Sequence, residues 1–255
     1  MNVYLGIDVG GSGIKGAPVN LDTGEFIADR LRILTPQKST PKNVCAVVAE
    51  IIEHFAPTVG EVPVGLTIPA PVVHGRVPFI ANLHQKWTGL EADEFFTERL
   101  GRQVTLVNDA DAAGLAEVRY GAAKNHQGLV IMTTLGTGIG SAIIHRGVLV
   151  PNSELGHLQL DGTDAEKRAA SSVKDKEGLS YAKWAKRLQR YYAHVEMLFS
   201  PDLFVVGGGV SKDFDKFGHL LDLHTPMVPA TLRNHAGIIG AAMAARDAQV
   251  HPEAH

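Results

Sequence analysis

The chain has 255 residues, of which 45% are apolar and 20% are charged, and its formal net charge is −3. This charge argues against a dedicated nucleic-acid binder, because such proteins present a positive field to phosphates. The single cysteine, Cys45, excludes an intrachain disulfide and a cysteine-rich zinc site. The sequence has neither an apolar run of about 18 residues nor a basic leader before its first strand, so we expect a cytoplasmic protein that does not contact a membrane.

In the first half of the chain, short apolar runs alternate with turn residues. The runs at 3–9 and 14–19 flank a glycine turn and predict a β-hairpin, and the run at 26–34 predicts a third strand. Thr40 followed by Pro41 is typical of a helix N-cap and first helical position. The remaining predictions for this half are a strand at 62–68, a helix at 92–100, a strand at 104–107 and a helix from Asn108-Asp109 through Glu117.

The second half begins with the same pattern. A strand at 129–135, a glycine turn at 136–140 and a returning strand at 141–145 predict a second hairpin. After a charged, glycine-poor stretch at 161–178, the predicted elements are a long helix at 179–199, a strand at 203–206 and a small-residue helix at 237–248. Alternating strands and helices predict an α/β fold. The repeated hairpin predicts two similar domains that face each other across a cleft, with the glycine turns at its floor.

The first glycine turn is a candidate phosphate-binding loop. Residues 11–16 match the pattern G-x-G-x-x-G, but the residues after them include Pro18 and cannot open the helix that a dinucleotide-binding fingerprint needs, and the spacing also excludes a Walker A loop. Backbone N–H groups of a turn between two strands can still cradle phosphate, with Asp8 holding a Mg²⁺-bound water and Lys15 reaching the phosphates. A tight hairpin with a surface lysine is the alternative. The second such turn favours an enzyme that handles a phosphate chain.

Several short motifs stand in the same order as in a known family. They are DVGGSGIK at 8–15, NDA at 108–110, LGTGIGS at 135–141 and ELGH at 154–157. They resemble, in turn, the first phosphate loop, the catalytic segment, the second phosphate loop and the sugar-binding segment of the sugar kinases of the ROK (repressor, open reading frame, kinase) family. The resemblance covers nearly the whole chain. It implies the two-lobed, actin-like and hexokinase-like ATPase fold, a duplicated ribonuclease H-like α/β domain with an interdomain cleft.

On this basis we expect a small lobe at 1–108, with a helix at about 237–250 packing back onto it, and a large lobe at 109–236. The resemblance also implies the contacts of the phosphoryl donor, which are Asp8, Gly10, Gly11, Ser12, Gly13, Lys15, Thr134, Gly136, Thr137 and Gly138. Mg²⁺ is expected to bind through Asp8 and the donor phosphates. The family places the adenosine of ATP at Gly207, Gly208 and Gly209, before a helix headed by Ser211; a close-packed strand–helix turn is the alternative for these glycines.

Phosphoryl transfer to a sugar needs a group that accepts the hydroxyl proton. The resemblance implies that Asp109 is this base and takes the proton of the sugar 6-hydroxyl group. From the residues alone, Asp109 is equally consistent with an N-cap of the following helix. The sugar ligands that the resemblance implies are Asn82, Asn108, Asp109, Glu154, His157 and Glu166.

Carboxylates and a neutral imidazole suit sugar hydroxyl groups, which both donate and accept hydrogen bonds. Glu154 and His157 are three residues apart, so a helical turn would place both on one side. A structural histidine and a loop turn are the alternatives for His157 and Asn82, and the segment around Glu166 has diverged from the family.

Departures from the usual family pattern narrow the resemblance to one subgroup. Most members carry a cysteine cluster that binds zinc together with the histidine of the E-x-G-H motif, whereas the segment at 161–171 has no cysteine, so His157 cannot belong to such a cluster and we expect no zinc. The missing zinc, the short chain and the segment 198–212 resemble the polyphosphate-dependent glucokinases. These phosphorylate glucose from inorganic polyphosphate and often from ATP, and some accept mannose. Pro69-Ala70 replaces the family's usual Pro-Gly near the sugar, which leaves the sugar specificity open. The family resemblance also implies a homodimer.

A basic face of the long helix is a candidate track for polyphosphate. The candidate residues along this face are Lys176, Lys183, Arg187 and Arg190, with Lys167, Lys174 and Lys212 as additional members. A solvated helix face is the ordinary interpretation of such a run. A locally basic groove on an acidic protein would nevertheless suit an extended polyanion.

A strictly ATP-dependent hexokinase is the nearest alternative function. A non-catalytic sugar-binding protein would need Glu154 and His157 but neither Asp109 nor both phosphate loops, all of which are present. The family's transcription repressors need an N-terminal helix-turn-helix, and we expect no room for one before the first strand. The sequence therefore favours a kinase.

Overall fold

A computed structural model describes residues 2–250 of the chain. The protein forms two compact units, one made of the residues up to Ala116 together with those from His235 onward, and the other of Glu117–Asn234. The first boundary falls inside the helix that begins at Asp109, whereas the sequence places it at residue 108. The reason is that the start of this helix packs within the first unit, where the backbone of Ala112 lies against Gly240.

The helices are α1 (Pro41–Val59), α2 (Ala92–Leu100), α3 (Asp109–Tyr120), α4 (Glu166–Ala169), α5 (Ser171–Lys176), α6 (Tyr181–Phe199) and α7 (Ala236–Val250). The strands are β1 (Val3–Val9), β2 (Ile14–Asn20), β3 (Glu25–Phe26), β4 (Leu31–Ile33), β5 (Val64–Ile68), β6 (Arg76–Val77), β7 (Leu90–Glu91), β8 (Val104–Asn108), β9 (Leu129–Leu135), β10 (Ile139–His145), β11 (Val148–Val150), β12 (Gln159–Leu160), β13 (Thr163–Asp164), β14 (Leu203–Gly207) and β15 (Met227–Pro229). Within residues 2–250, no helix is long and apolar enough to cross a membrane.

The first unit is built on a six-stranded sheet in the order β3-β2-β1-β5-β8, with β4 also paired to β2. β1 and β2 form the predicted antiparallel hairpin, while β1, β5 and β8 run parallel to one another. The carboxyl ends of these parallel strands therefore lie at one edge of the sheet. In open α/β sheets, this edge is where ligands bind.

The helices of the first unit begin where the sequence predicts. The Thr40 hydroxyl accepts a hydrogen bond from the N–H of Asn43 at 3.3 Å, and Pro41 follows as the first helical residue of α1. The apolar stripe of α1, including Val44 and Val48, is buried in the core of this unit. α7 packs on β1, β5 and β8, so the end of the described chain belongs to the first unit.

The second unit repeats the hairpin in a five-stranded sheet of order β11-β10-β9-β14-β15. β9 and β10 are antiparallel, and β14 runs parallel to β9. α6 begins after Ser180, whose hydroxyl accepts a hydrogen bond from the N–H of Lys183 at 3.3 Å. Fully buried aromatic side chains of α6, Trp184, Tyr191 and Tyr192, fill the core of this unit.

Other predicted elements differ from the structure. Residues 26–34 form two strands rather than one, because β3 pairs with residues 19–20 of β2 and β4 with residues 14–16, so that the chain bends between them. The charged stretch at 161–178 contains β13, α4 and α5. Residues 209–216 form a 3-10 helix with a non-helical Asp213, where the sequence predicts a helix headed by Ser211.

Candidate active site

The predicted first phosphate loop joins β1 to β2 and has a charged pair at its base. Asp8 lies opposite Lys15 in the hairpin, and the Lys15 Nζ atom is 3.2 Å from the Asp8 Oδ2 atom. The Asp8 Oδ1 atom accepts a hydrogen bond from the buried Thr67 hydroxyl at 2.8 Å. The loop itself closes through a 3.1 Å hydrogen bond from the Gly10 N–H to the Gly13 carbonyl. The structure thus brings together the predicted residues Asp8, Gly10, Gly13 and Lys15.

Side chains from the next strand segment hold this loop in place. The Thr35 hydroxyl donates to the Gly10 carbonyl at 2.5 Å, and the Arg32 guanidinium donates to the Ser12 carbonyl at 3.2 Å. These two hydrogen bonds join the carbonyls of the loop to residues 32 and 35. Sequence reasoning missed both residues, since neither belongs to a motif.

Asp109 stands at the carboxyl end of β8, where the strand becomes α3. The Asn108 Oδ1 atom accepts hydrogen bonds from the N–H groups of Ala110 at 2.9 Å and Asp111 at 3.0 Å, so Asn108 is the helix cap. Asp109 is the first residue of α3 and is half-buried. The capping role that competed with catalysis in the sequence therefore falls to Asn108. Asp8 is the residue before the last of β1, so both carboxylates lie near the carboxyl ends of the parallel strands.

Asn82 lies in a loop of the first unit, between buried neighbours. Ile80 and Leu83 anchor the loop in the core, whereas Asn82 itself is exposed. The Trp87 indole N–H donates to the Ser39 carbonyl at 2.8 Å and ties the following turn to the segment before α1. The loop is therefore held by its apolar residues, and the amide of Asn82 is presented to solvent.

The predicted second phosphate loop joins β9 to β10 and is held by hydroxyl groups. The loop closes through a 3.0 Å hydrogen bond from the Gly136 N–H to the Gly138 carbonyl. At the start of α5, the Ser171 hydroxyl donates to the Gly136 carbonyl at 3.1 Å, and the Ser172 hydroxyl donates to the Thr137 carbonyl at 2.7 Å. Sequence reasoning missed these serines, because they follow the loop by more than thirty positions.

The predicted sugar-binding segment forms a short 3-10 helix, Leu155–His157, directly after Glu154. Glu154 precedes this turn with non-helical angles, φ −110° and ψ 57°, so the helical spacing expected for Glu154 and His157 does not hold. Gly156 lies against the backbone of β10, where a Cβ atom would overlap the Ile139 carbonyl, so only glycine fits. The Ser141 hydroxyl secures the turn by accepting from the Leu155 N–H at 2.9 Å and donating to a carbonyl at 2.6 Å.

Carboxylates surround the imidazole of His157. Its Nδ1 atom lies 3.4 Å from the Asp164 Oδ2 atom and 3.9 Å from the Glu166 Oε1 atom. The Glu166 Oε2 atom accepts a hydrogen bond from the Ile139 N–H at 3.1 Å, which connects the sugar segment to the second phosphate loop. Burial raises the pKa of Glu154 above its ordinary value, while His157 opposes this shift and Glu166 adds to it. Glu154, His157 and Glu166 thus form one cluster, and Asp164 is a member that the sequence did not reveal.

Gly207 ends β14 and Gly208 follows it, beside the predicted second phosphate loop. Gly208 has a positive φ of 81°, and a Cβ atom there would lie 2.7 Å from the Leu135 backbone nitrogen. Both features require glycine. The close-packed turn that the sequence allowed as an alternative is therefore present, and it places these glycines, with Gly209 next in the chain, against the base of the loop.

Both arginines of the predicted polyphosphate track are engaged with carboxylates. Arg187 makes a two-pronged contact with Glu177, at 2.6 and 3.2 Å, and Arg190 pairs with Asp161, at 2.8 Å from its Nε atom. The hydrogen bond from Arg187 holds the pKa of Glu177 below its ordinary value, and that from Arg190 does the same for Asp161. Their charge is thus already partly balanced within the chain.

The lysines of the predicted track differ among themselves. The Lys174 Nζ atom pairs with Asp175 at 2.9 Å and lies 4.6 Å from the centre of the Tyr181 ring. Lys183 and Lys212 are exposed. Lys183 and Lys212 are therefore more accessible to solvent than Lys174.

Comparison with known proteins identifies the family. A family model described as the ROK family matches residues 4–178. The chain belongs to the ROK family. It is 54% identical over 241 residues to a polyphosphate glucokinase of Mycobacterium tuberculosis, which covers 94% of this chain and 90% of that protein. The crystal structure of an inorganic polyphosphate/ATP-glucomannokinase from Arthrobacter sp. strain KM has a TM-score of 0.92 and 49% identity, covering 96% of this chain and 98% of the other.

These likenesses confirm the predicted α/β class, the hexokinase-like fold and the assignment to the phosphotransferase enzymes. A ROK family glucokinase from Streptomyces griseus, crystallised with glucose and AMPPNP, has the same fold at 23% identity, with a TM-score of 0.82 over 96% of this chain and 99% of that one. In this ROK protein, His157 contacts carboxylates at the place where the resemblance assigns a zinc ligand to most members.

The residues present fit a magnesium ion that is bound mainly by donor phosphates. Among residues 2–250, no group of three or more histidine, cysteine, aspartate or glutamate side chains is placed to hold a metal ion. Magnesium in kinases usually takes one or two carboxylates and completes its shell with waters and substrate phosphates. Asp8, a partly buried carboxylate at the base of the first phosphate loop, meets this requirement.

Proposed function

We propose that this protein is a glucokinase that transfers the terminal phosphoryl group of inorganic polyphosphate or ATP to the 6-hydroxyl group of glucose. The observation that carries the proposal is the 54% identity, over 94% of the chain, to a protein named polyphosphate glucokinase. The four motifs support it, because each forms a defined structural feature: two closed glycine loops, a strand end that presents Asp109, and a turn that presents Glu154 and His157.

Asp109 is the proposed general base. As the glucose 6-oxygen forms a bond to the terminal phosphorus, the bond from this phosphorus to the bridging oxygen of the donor breaks, and the hydroxyl proton passes to the Asp109 carboxylate. Capping by Asn108 fixes the start of α3 and so fixes the position from which Asp109 acts. A positioned base of this kind typically contributes 10²- to 10⁴-fold in rate.

Glu154, His157 and Glu166 are the proposed ligands of the sugar hydroxyl groups, together with Asn82 and Asn108. Charged carboxylates accept hydrogen bonds from hydroxyl groups, and an imidazole can donate or accept according to its tautomer. The hydrogen bond from the Ile139 N–H to Glu166 links one of these ligands directly to the second glycine loop. We expect this arrangement to hold the glucose ring in a single orientation.

The two glycine loops are the proposed phosphate cradles. Their closed turns expose backbone N–H groups, which bind anions without adding charge. Lys15 and Asp8 balance each other at the base of the first loop. Asp8 would hold Mg²⁺, which, when bound with the donor phosphates, offsets the charge that develops during transfer. Residues 207–209, beside the base of the second loop, are the proposed contact of the adenosine of ATP.

The basic face of α6 remains the proposed track for the distal part of polyphosphate. Lys183 and Lys212 are exposed, and Arg187 and Arg190 are each held by one carboxylate. A polyanion would bind to guanidinium groups that these carboxylates already hold in one orientation. Charge reversal of Lys183 and Lys212 should therefore weaken the use of polyphosphate while leaving ATP unaffected, and equal losses with both donors would contradict the track.

The test of the function is the formation of glucose 6-phosphate by purified protein with Mg²⁺ and glucose, first with nucleotide-free polyphosphate and then with ATP as the sole donor. We expect activity with both. Asp109→Asn should fold normally and lose at least ~10²-fold of this activity, whereas Asp22→Asn, at an exposed turn of the first unit, should retain it. Activity with ATP alone would favour the strictly ATP-dependent hexokinase, and activity of folded protein with neither donor would exclude the proposal.

Two finer expectations accompany the proposal. Mannose is a second proposed sugar, which the same assay tests by comparing kcat/KM for the two hexoses. A homodimer is the proposed assembly, and sedimentation velocity of the purified protein distinguishes it from a monomer of 27.3 kDa.

A further inference from the structure

The hairpin of β12 and β13 returns the chain to the imidazole of His157. His157 ends the 3-10 turn, β12 starts two residues later, and Asp164 lies opposite Gln159 in the antiparallel pair. This register places the Asp164 Oδ2 atom 3.4 Å from the His157 Nδ1 atom. The Asp164 side chain is 22% exposed, whereas that of His157 is 46% exposed. The carboxylate therefore approaches the ring from the protein side.

The hairpin is held from outside by arginine pairs. Asp161, at its turn, accepts hydrogen bonds from Arg190 of α6 and lies 3.4 Å from the Arg168 guanidinium of α4. Asp161 adopts a positive φ of 55°, as a tight turn requires. Two helices thus fix the position of the strand that carries Asp164.

The charge of Asp164 is also maintained by its neighbours. Its Oδ2 atom lies 3.1 Å from the Lys167 Nζ atom. The hydrogen bond from Lys167, and then that from His157, hold the pKa of Asp164 below its ordinary value. Asp164 is therefore an anion at neutral pH and can only accept hydrogen bonds.

An anionic acceptor at Nδ1 determines which ring nitrogen of His157 carries the proton. The carboxylate accepts the Nδ1–H bond, so the neutral ring leaves its Nε2 atom as an acceptor. Glu154 and Glu166, the other ionisable groups around the ring, are themselves acceptors when charged. With the proton at Nδ1, the Nε2 lone pair can accept a hydrogen bond from one hydroxyl group of a ligand. The nearby carboxylates can accept hydrogen bonds from the adjacent hydroxyl groups of the same ligand.

We propose that Asp164 is a positioning residue that holds His157 in the Nδ1–H tautomer and so tunes it for a sugar hydroxyl group. The assignment to a sugar rests on the proposed function, whereas the tautomer itself is a property of the resting protein. A carboxylate that orients a histidine in this way is a common device at sites where the second nitrogen contacts a ligand.

The first test is the 15N chemical shifts of the His157 ring in the resting protein, from long-range proton–nitrogen correlations. The signals are assigned with His157→Gln, since the chain has 12 histidines. At a pH where the ring is neutral, we expect a protonated Nδ1 and an unprotonated Nε2. A protonated Nε2 would overturn the proposal whether or not the protein phosphorylates glucose.

The second test is Asp164→Asn, which keeps the shape of the side chain but offers both a donor and an acceptor to Nδ1. We expect a mixture of tautomers and a KM for glucose raised about tenfold, with kcat within about threefold and the KM for the donor unchanged. An unchanged tautomer, or an unchanged KM for glucose, would contradict positioning by Asp164.

Asp213→Asn is the matched control. Asp213 is also 22% exposed and also pairs with a lysine three residues later, Lys216, at 2.7 Å. It lies within the 3-10 helix 209–216 and its pair contains no histidine. This variant should leave the KM for glucose and the His157 shifts unchanged, so an effect shared by both variants would be a general electrostatic one and would argue against the proposal.

Discussion

In the β1–β2 hairpin, the second residue pair from the loop is Asp8 and Lys15, whereas in the β9–β10 hairpin it is Thr134 and Gly140. Both hairpins join strands of seven residues, and both loops close through a hydrogen bond from their first glycine. The first loop, residues 10–13, is one residue longer than the second, residues 136–138, so the hairpins differ in loop length as well as in the side chains at matching strand positions.

The supports of the two loops differ in the same way. Arg32 and Thr35 hold the carbonyls of the first loop, while the hydroxyls of Ser171 and Ser172 hold those of the second. The first hairpin thus has a charged pair within its own strands, whereas the second has none at the matching position. The carbonyls of the second loop are held by neutral hydroxyl groups, with the Glu166 carboxylate bound beside them at a backbone N–H. This division suits a donor whose metal-bound end needs a carboxylate and whose other oxygens need only hydrogen-bond donors.

The largest expected difference in activity is between variants at the two matching positions, Asp8 and Thr134. Asp8→Asn removes the carboxylate that would hold magnesium, and we expect kcat/KM to fall by at least ~10²-fold, because metal charge stabilises phosphoryl transfer by several kcal/mol. Thr134→Val should lower kcat/KM by less than about tenfold, which corresponds to the loss of one hydrogen bond. Activity measured across a magnesium titration checks this, and equal losses in the two variants would remove the distinction between the hairpins.

A smaller effect is expected from Gly11→Ala and Gly136→Ala, one in each loop. A Cβ atom at either position meets no protein atom within 4 Å, so both variants should retain their thermal stability. The added methyl group would instead occupy space proposed for a phosphate. We expect the KM for the donor to rise about tenfold, as the loss of a charge-assisted hydrogen bond would produce. If only one variant changes this KM, only that loop contacts the donor.

Gly138→Ala tests the connection between the second loop and the sugar ligands. The new Cβ atom would overlap the Glu166 Oε2 atom, the flexible end of a side chain, so the carboxylate should move away and release the Ile139 N–H. We expect the KM for glucose to rise about fivefold, the equivalent of ~1 kcal/mol. Steady-state kinetics with glucose varied at saturating donor measures it, and an increase confined to the KM for the donor would contradict this role of Glu166.

The smallest expected effect concerns the hydrogen bond by which Ser172 holds the second loop. Ser172→Ala removes the hydrogen bond to the Thr137 carbonyl and should lower the free energy of unfolding by ~1 kcal/mol. Urea denaturation measures this loss. Ser180→Ala, at the cap of α6, is a comparison of similar size in the same unit. A Ser172→Ala variant as stable as the wild type would show that the loop needs no support from α5.

Local patterns were sufficient for much of the fold. Thr40 and Pro41 predict the start of α1 because capping is decided by adjacent residues, and alternating apolar runs predict both hairpins for the same reason. The prediction of a single strand at 26–34 was wrong, because the division into β3 and β4 depends on pairing with the two ends of β2. Such pairing is not encoded in the run itself.

The site shows the same limit. The motif residues Glu154 and His157 could be named from the sequence because their motif resembles that of a known family, and Asp8 and Lys15 because they flank a glycine turn between two strands. Asp164 could not, since its contact with His157 depends on the register of a hairpin of two-residue strands. The carboxylate partners of Arg187 and Arg190 were equally hidden, because they lie 10 and 29 residues away along the chain.

The most direct test measures kcat/KM of the wild type, Asp8→Asn and Gly136→Ala with polyphosphate and, separately, with ATP as the sole donor to glucose. If both hairpins hold the terminal phosphates of either donor, each variant should lose activity by a similar factor with both donors. A variant that impairs the use of ATP and leaves polyphosphate untouched would place polyphosphate outside the two hairpins. A wild-type protein that forms no glucose 6-phosphate from either donor would contradict the glucokinase function itself.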